Sequence, residues 1–190
     1  MNTARLLLTL LLALGAVTAA TAGDDRHQKF STDLFGHNEV HFIAGPPAAL
    51  RGAVSTPATG RFKARLDDRK DVIHYELSYE GLTGTVAQAH IHFGQRHTVG
   101  GIVVWLCQGT VRAPASVQEL TPECPQQGTV KDTIVASQVL EAVGQGLAAG
   151  DFEALVDAIR AGTAYANVHS STFGPGEIRG QIDHDEGHRH

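Results

Sequence analysis

The stretch Arg61-Phe62-Lys63-Ala64-Arg65-Leu66, the charged tetrapeptide Asp67-Asp68-Arg69-Lys70, and the run Ile73-His74-Tyr75-Glu76-Leu77-Ser78-Tyr79 together decide the fold class. Polar and apolar side chains alternate on both sides of the tetrapeptide. Successive side chains of an extended chain point to opposite faces, so a period of two marks a strand with one buried face. Two such runs joined by a short turn form an antiparallel hairpin.

The same reading extends outward. Val86 to Phe93 is a third strand. Ile102 to Leu106 (IVVWL) is a fourth, and its apolar character on both faces predicts a central place, with Trp105 in the core. Gln127 to Thr133 reads as a short strand. Thr163 to Ser170 and Glu177 to Asp183 make a last hairpin around Thr172-Phe173-Gly174-Pro175-Gly176. Short strands divided by turn signals predict an all-β, antiparallel sandwich or barrel. One segment departs from the pattern. Phe152, Leu155, Val156 and Ile159 recur with helical spacing, so a short helix is expected at about 151–161, capped by Asp151 and ended by Gly162. Ser137 to Leu147 is expected to add a helical turn or two. Gly45 to Pro57, rich in Gly, Pro and Ala, reads as a long loop. Residues 184–190 (His184-Asp185-Glu186-Gly187-His188-Arg189-His190) read as a disordered, His-rich tail.

Composition excludes several classes. The 190 residues are 42% apolar and 18% charged, with a net charge of −5, so a single domain with a core is expected and global disorder is not. A mildly acidic chain with 6% aromatic residues lacks both the clustered basic charge and the stacking platform of a nucleic-acid binder. No nucleophile elbow, phosphate-binding loop or H-E-x-x-H zinc motif occurs.

Residues 1–22 read as a secretory signal peptide. Arg5 precedes the apolar run Leu6 to Val17, which is shorter than the roughly 20 residues needed to span a bilayer, and Ala20 and Ala22 set an A-x-A cleavage pattern. The mature protein is therefore expected to be secreted or periplasmic, with no membrane span after cleavage. In that oxidising compartment the only two cysteines, Cys107 and Cys124, read as a disulfide.

Eleven histidines carry the chemical interest. His90 and His92 flank Ile91 on a predicted strand, so both rings share one face about 7 Å apart at the backbone. Neutral imidazole suits copper or zinc. His169 ends another strand, whose Asn167 shares its face, and is the third candidate ligand. His97, in the loop after His92, is the fourth. The competing reading has these rings merely bonded to backbone carbonyls. His184, His188 and His190 either collect metal weakly or are solvated, and His27, His37 and His41 are equally open, with His27 expected at the surface. Glu177 and Arg179, two apart on one strand face, read as a strand-pinning ion pair, the alternative being an Arg179 that steers an anion toward a metal pocket.

Several blocks resemble the CHRD domain, named from chordin. They are Gly81-Leu82, Ala89-His90-Ile91-His92-Phe93-Gly94, Val103-Val104-Trp105-Leu106-Cys107, Gly150-Asp151-Phe152, Ala158-Ile159-Arg160-Ala161-Gly162, Tyr165-Ala166-Asn167-Val168-His169-Ser170 and Gly176-Glu177-Ile178-Arg179-Gly180-Gln181-Ile182. The opening Asn38-Glu39-Val40 and Ala58-Thr59-Gly60 also fit. The resemblance runs over about residues 30–183 and implies an immunoglobulin-like β-sandwich and a secreted domain without an assigned reaction. His90, His92 and His169 fall at matching positions; His97 lies outside the motif. His90-Ile91-His92-Phe93-Gly94 is also similar to the copper-ligand strand of Cu/Zn superoxide dismutases, another β-sandwich. The chain departs from the CHRD pattern at His41, where a Pro is usual, and in an extra stretch at about 42–54.

Three functions are thus expected in order. The first is a secreted protein that binds copper or zinc through His90, His92 and His169, with His97 optional, for storage, delivery or buffering. The second is a metal-free module that docks another extracellular or periplasmic protein. The third is a copper enzyme of superoxide-dismutase type, which would need an open metal position and an access path.

Overall fold

The computed structural model describes residues 27–42 and 51–185. The expected signal peptide and the end of the His-rich tail lie outside these residues, as do residues 45–50 of the Gly45–Pro57 loop. In chain order the strands are β1 (His27–Phe35), β2 (His41–Phe42), β3 (Arg51–Gly52), β4 (Thr59–Asp67), β5 (Val72–Glu80), β6 (Val86–Phe93), β7 (Gly101–Gln108) and β8 (Gly128–Ile134). The helix α1 (Phe152–Arg160) follows, and then β9 (Ala164–Ser170), β10 (Ile178–Gln181) and β11 (Asp183–His184). The fold is all-β with one short helix. No helix among the described residues is long and apolar enough to cross a membrane.

One continuous sheet runs β7-β6-β9-β10-β1-β4-β5-β8, with β11 added beside β1, and every ladder in it is antiparallel. Its end strands β7 and β8 come back into contact, so the sheet is nearly closed and its halves face each other like the layers of a sandwich. The alternation that predicted the β4–β5 hairpin is the packing pattern. Phe62, Ala64, Leu66, Ile73, Tyr75, Leu77 and Tyr79 enter one core with Phe30 and Leu34 of β1, Ile91 of β6 and Val168 of β9. The Tyr75 hydroxyl, buried among them, donates to the Leu106 carbonyl of β7.

Helix α1 forms as its spacing demands. The Asp151 carboxylate accepts from the Ala154 amide at 3.0 Å, Leu155 and Ile159 are buried, and Gly162 takes a left-handed φ of 65° beyond the last turn. The Ser137–Leu147 region holds only a single 3-10 turn, Ala136–Gln138, followed by an irregular segment bridged between Ala142 and Leu147.

Four expectations change. β7, predicted central, stands at the end of the sheet and, among the described strands, pairs with β6 alone. Its burial comes from chain that is not strand. Leu140 donates to the Val103 carbonyl, Gln108 donates to Pro122, and the Cys107–Cys124 disulfide pulls the 109–123 loop against it. Trp105 packs under that loop with Ala113 and Val117, apart from the main core. β1 was not foreseen; it joins β4 over nine residue pairs. The tail begins later than expected, because His184 lies in β11 opposite Phe30, with ring centroids 4.8 Å apart. The Gly45–Pro57 loop also encloses some order: Arg51–Gly52 pairs with His41–Phe42.

Candidate metal centre

β6 and β9 are neighbours, in a register that sets His90 opposite Asn167 and His92 opposite Tyr165. Period two then gathers His90, His92, Tyr165, Asn167 and His169 on one face, while Ala89, Ile91, Ala166 and Val168 fill the main core behind it. That outer face is still buried: all seven residues of β9 are. His90, His92 and His169 are 0%, 7% and 4% exposed.

The three rings converge. His90 Nδ1 lies 3.2 Å from His169 Nε2, and one nitrogen from each ring lies within 4.8 Å of the others. The backbone assigns two tautomers. The Gly100 carbonyl oxygen is 2.9 Å from His92 Nδ1, and the Gly174 carbonyl oxygen is 2.7 Å from His169 Nδ1. A carbonyl only accepts, so both Nδ1 atoms hold the proton and both Nε2 atoms keep a lone pair, that of His169 facing His90 Nδ1. Nε2 of His90 and of His92 are buried without a hydrogen-bond partner among the described residues.

The electrostatics keep the rings neutral. Burial pushes the His90 imidazole well below its ordinary range, with His169 and His92 adding to the effect. Burial takes His92 to about 4, partly opposed by its bond to Gly100. His169 is likewise lowered to about 4 by burial, against the opposing bond to Gly174. Neutral imidazole is the metal-binding form.

Aromatic and cationic groups frame the cluster. Trp105 meets His90 edge to face at 4.3 Å, and the Tyr165 ring lies parallel to His92. The Arg179 guanidinium sits 3.4 Å from the Tyr165 ring centroid. It donates to the Thr98 carbonyl at 2.7 Å and the Gln95 carbonyl at 3.1 Å. The Gly100 amide donates to the Tyr165 hydroxyl at 3.3 Å. The 94–100 loop is thereby fastened beside the imidazoles.

Sequence reasoning placed His90, His92 and His169 near one another, and the structure brings these three together. It does not bring His97, which is exposed on the 94–100 loop with a left-handed φ of 66°. Glu177 and Arg179 do not pair. The Glu177 carboxylate instead accepts from the Thr56 hydroxyl at 2.6 Å and from the Thr83 amide and hydroxyl, both at 2.8 Å. Burial raises the Glu177 carboxyl, but hydrogen bonds from Ser170, Thr56 and Thr83 outweigh this and leave it below its ordinary range. Each side chain is captured by a different loop, so sharing a strand face does not make them partners. His37 and His184 are exposed, while His188 and His190 lie outside the described residues. Tyr165, Trp105 and the carbonyls of Gly100 and Gly174 were not anticipated as parts of the site. The signal for Tyr165 was its alternation with Asn167 and His169; the carbonyls carry no signal in sequence.

The blocks that build this face, Ala89–Gly94, Tyr165–Ser170 and Gly176–Ile182, all fall within residues 30–182, the span matched by the family model of the CHRD domain. The chain belongs to the CHRD domain family. No curated protein and no solved structure matches it. The similarity of His90–Gly94 to a superoxide dismutase strand therefore remains a five-residue likeness and carries no further argument. A CHRD domain is an extracellular-type module, and the Cys107–Cys124 disulfide suits an oxidising compartment.

Proposed function

We propose that this CHRD domain binds one transition-metal ion, copper or zinc, through His90, His92 and His169, and that it serves in storage, delivery or buffering of that ion outside the cytoplasm. The carrying observation is the pair of buried Nε2 atoms of His90 and His92 that lack any hydrogen-bond partner among the described residues, in a cluster where one nitrogen of each of the three rings lies within 4.8 Å of the others. A buried polar atom without a partner costs about 1–3 kcal/mol. Imidazoles that only served the fold would each be satisfied locally; here two lone pairs are left over. A cation supplies a partner for such a lone pair.

Burial of all three rings supports holding an ion over turning over a substrate, because catalytic metal sites keep an open coordination position. Metal analysis of untagged protein from its native compartment, followed by titration of the metal-free form with zinc and copper, tests the reading. One ion per chain is expected, and the His90→Ala/His92→Ala double variant should take up none. A wild-type protein that neither carries nor takes up either metal would leave the protein-docking module in its place.

A further inference from the structure

Asn167 Oδ1 lies 3.1 Å from His169 Nε2. This contact is not an ordinary hydrogen bond. His169 spends its one proton on Gly174, so Nε2 is a lone pair, and an amide oxygen is a lone pair too. Turning the amide over would remove the conflict at His169 but create another. Gly176 (φ 139°) leaves a space where an added Cβ would sit 2.3 Å from Glu39 Oε2 and 3.1 Å from Asn167 Nδ2. The amide nitrogen thus faces the side where the buried Glu39 carboxylate lies, and a flipped amide would turn its oxygen toward that charge. With Oδ1 held toward the imidazoles, Oδ1 and Nε2 are two acceptors side by side in a place 2–4% exposed, with His90 Nδ1, 3.2 Å from Nε2, as the donor that faces them in the metal-free protein. The separation has a natural meaning. Two ligands on a tetrahedral ion with bonds of about 2.0–2.1 Å stand about 3.3 Å apart.

We infer that Asn167 Oδ1 is the fourth donor of the His90, His92 and His169 centre, and that this oxygen makes it a site for a divalent ion, zinc(II) or copper(II), in preference to copper(I). The inference rests on the metal-binding reading above and deepens it. Zinc takes four nitrogen, oxygen or sulfur ligands in a tetrahedron. Copper(I) favours soft sulfur. The chain offers none here: both cysteines are locked in the disulfide, and the single methionine is Met1. The four donors alternate along two adjacent strands, so the ladder between β6 and β9 sets their spacing.

The test uses metal-free, untagged full-length protein. Zinc(II), copper(II) and, under anaerobic reducing conditions, copper(I) are each titrated against a chromophoric chelator, and cobalt(II) is added as a visible-absorption reporter of coordination. Wild type should bind one divalent ion, with the intense band of four-coordinate cobalt. Asn167→Ala should keep one ion per chain but bind zinc at least about tenfold more weakly, since even groups that only orient a ligand cost ten- to a hundredfold. Its cobalt band should change, and its copper(I) affinity should not. Asn167→Asp preserves the shape and supplies a charged oxygen, so it should bind zinc at least as tightly as wild type. Unchanged zinc affinity and cobalt spectrum in Asn167→Ala would overturn the assignment of Asn167 while leaving the three histidines standing. Preference of wild type for copper(I) would overturn the divalent assignment. Absence of uptake by wild type would remove the histidine centre and this inference together, and that failure is read before any variant is made.

Discussion

The rings of His92 and Tyr165 lie face to face, with centroids 4.7 Å apart and planes 2° from parallel. The two residues are direct cross-strand partners on β6 and β9, so the ladder itself aligns them. The contact couples a candidate ligand to the loop that covers it. His92 holds Gly100 through its carbonyl, Tyr165 holds Gly100 through its amide, and Arg179, over the Tyr165 ring, holds Thr98 and Gln95. Ligand orientation and loop position are thus set by the same few contacts, as when outer groups orient the ligands of a metal site.

Replacing Arg179 tests that coupling. Arg179 is 2% exposed, and its charge is satisfied by two loop carbonyls and an aromatic face. Arg179→Met keeps much of the stem and removes the guanidinium. Charge-assisted hydrogen bonds and the cation–π contact, less the cost of burying the charge, predict a loss of about 1–3 kcal/mol in urea denaturation. Amides of residues 95–100 should exchange faster with solvent. A variant with wild-type stability and unaltered exchange in that loop would show that Arg179 does not hold it.

His97 and His169 should behave oppositely. His97 is exposed and stands apart from the three gathered rings, whereas His169 is one of them. His97→Ala is expected to leave zinc or copper stoichiometry and affinity at wild-type values, and His169→Ala to lower the affinity by more than tenfold. Isothermal titration of both variants decides it. Loss of uptake in His97→Ala alone would move the ion to the loop.

The contrast shows how much could be read from sequence and where reading stopped. The β4–β5 hairpin was legible because its alternation is a burial pattern, and the pairing of His90 with His92 was legible for the same reason. β1 was not, because Thr32 interrupts the alternation between Phe30 and Leu34 and the strand follows closely on the apolar run Leu6 to Val17. In β7, apolar residues on both faces correctly announced two covered faces, but a strand cannot encode whether its cover is another strand or a disulfide-bound loop. Glu177 and Arg179 looked like a pair because their nearness is local. Their actual partners, Thr56, Thr83, Gln95 and Thr98, come from loops 81 to 121 residues away in sequence. Asn167 was seen to share the face of His169, but the donor role proposed for it depends on Gly174 fixing the imidazole tautomer.

The disulfide should matter for stability and not for the site. Cys107 and Cys124 close a loop of separation 17, which in the chain-entropy model contributes about 3 kcal/mol. The Cys107→Ser/Cys124→Ser variant should lose stability of that order in denaturant, yet bind metal with one-to-one stoichiometry, because the donors lie on β6 and β9 and the bridge anchors the far side of β7. Loss of uptake in a variant that remains folded would show that the covering loop governs the imidazoles through Trp105.

Acid should destabilise the metal-free protein before any carboxylate titrates. His92 and His169 are lowered to about 4 in the fold, and His90 well below its ordinary value, chiefly by burial, while an unfolded histidine titrates near 6.5. Between those values the unfolded chain binds protons that the folded chain refuses, so stability is complete above about pH 6.5 and falls as the pH drops toward 4. Each buried histidine contributes a slope of up to about 1.4 kcal/mol per pH unit. Glu177, whose carboxyl is lowered, loses its contribution only as pH falls below the ordinary carboxylate range, so pH 5 to 6.5 isolates the histidines. Urea denaturation with a chelator present should therefore show stability declining across that window, with a shallower decline in His92→Phe, which keeps the ring stack on Tyr165 and removes one titrating group. A flat or rising profile between pH 6.5 and 5 would mean that the imidazoles are already charged in the fold. It would also mean that their lone pairs are not available to hold an ion.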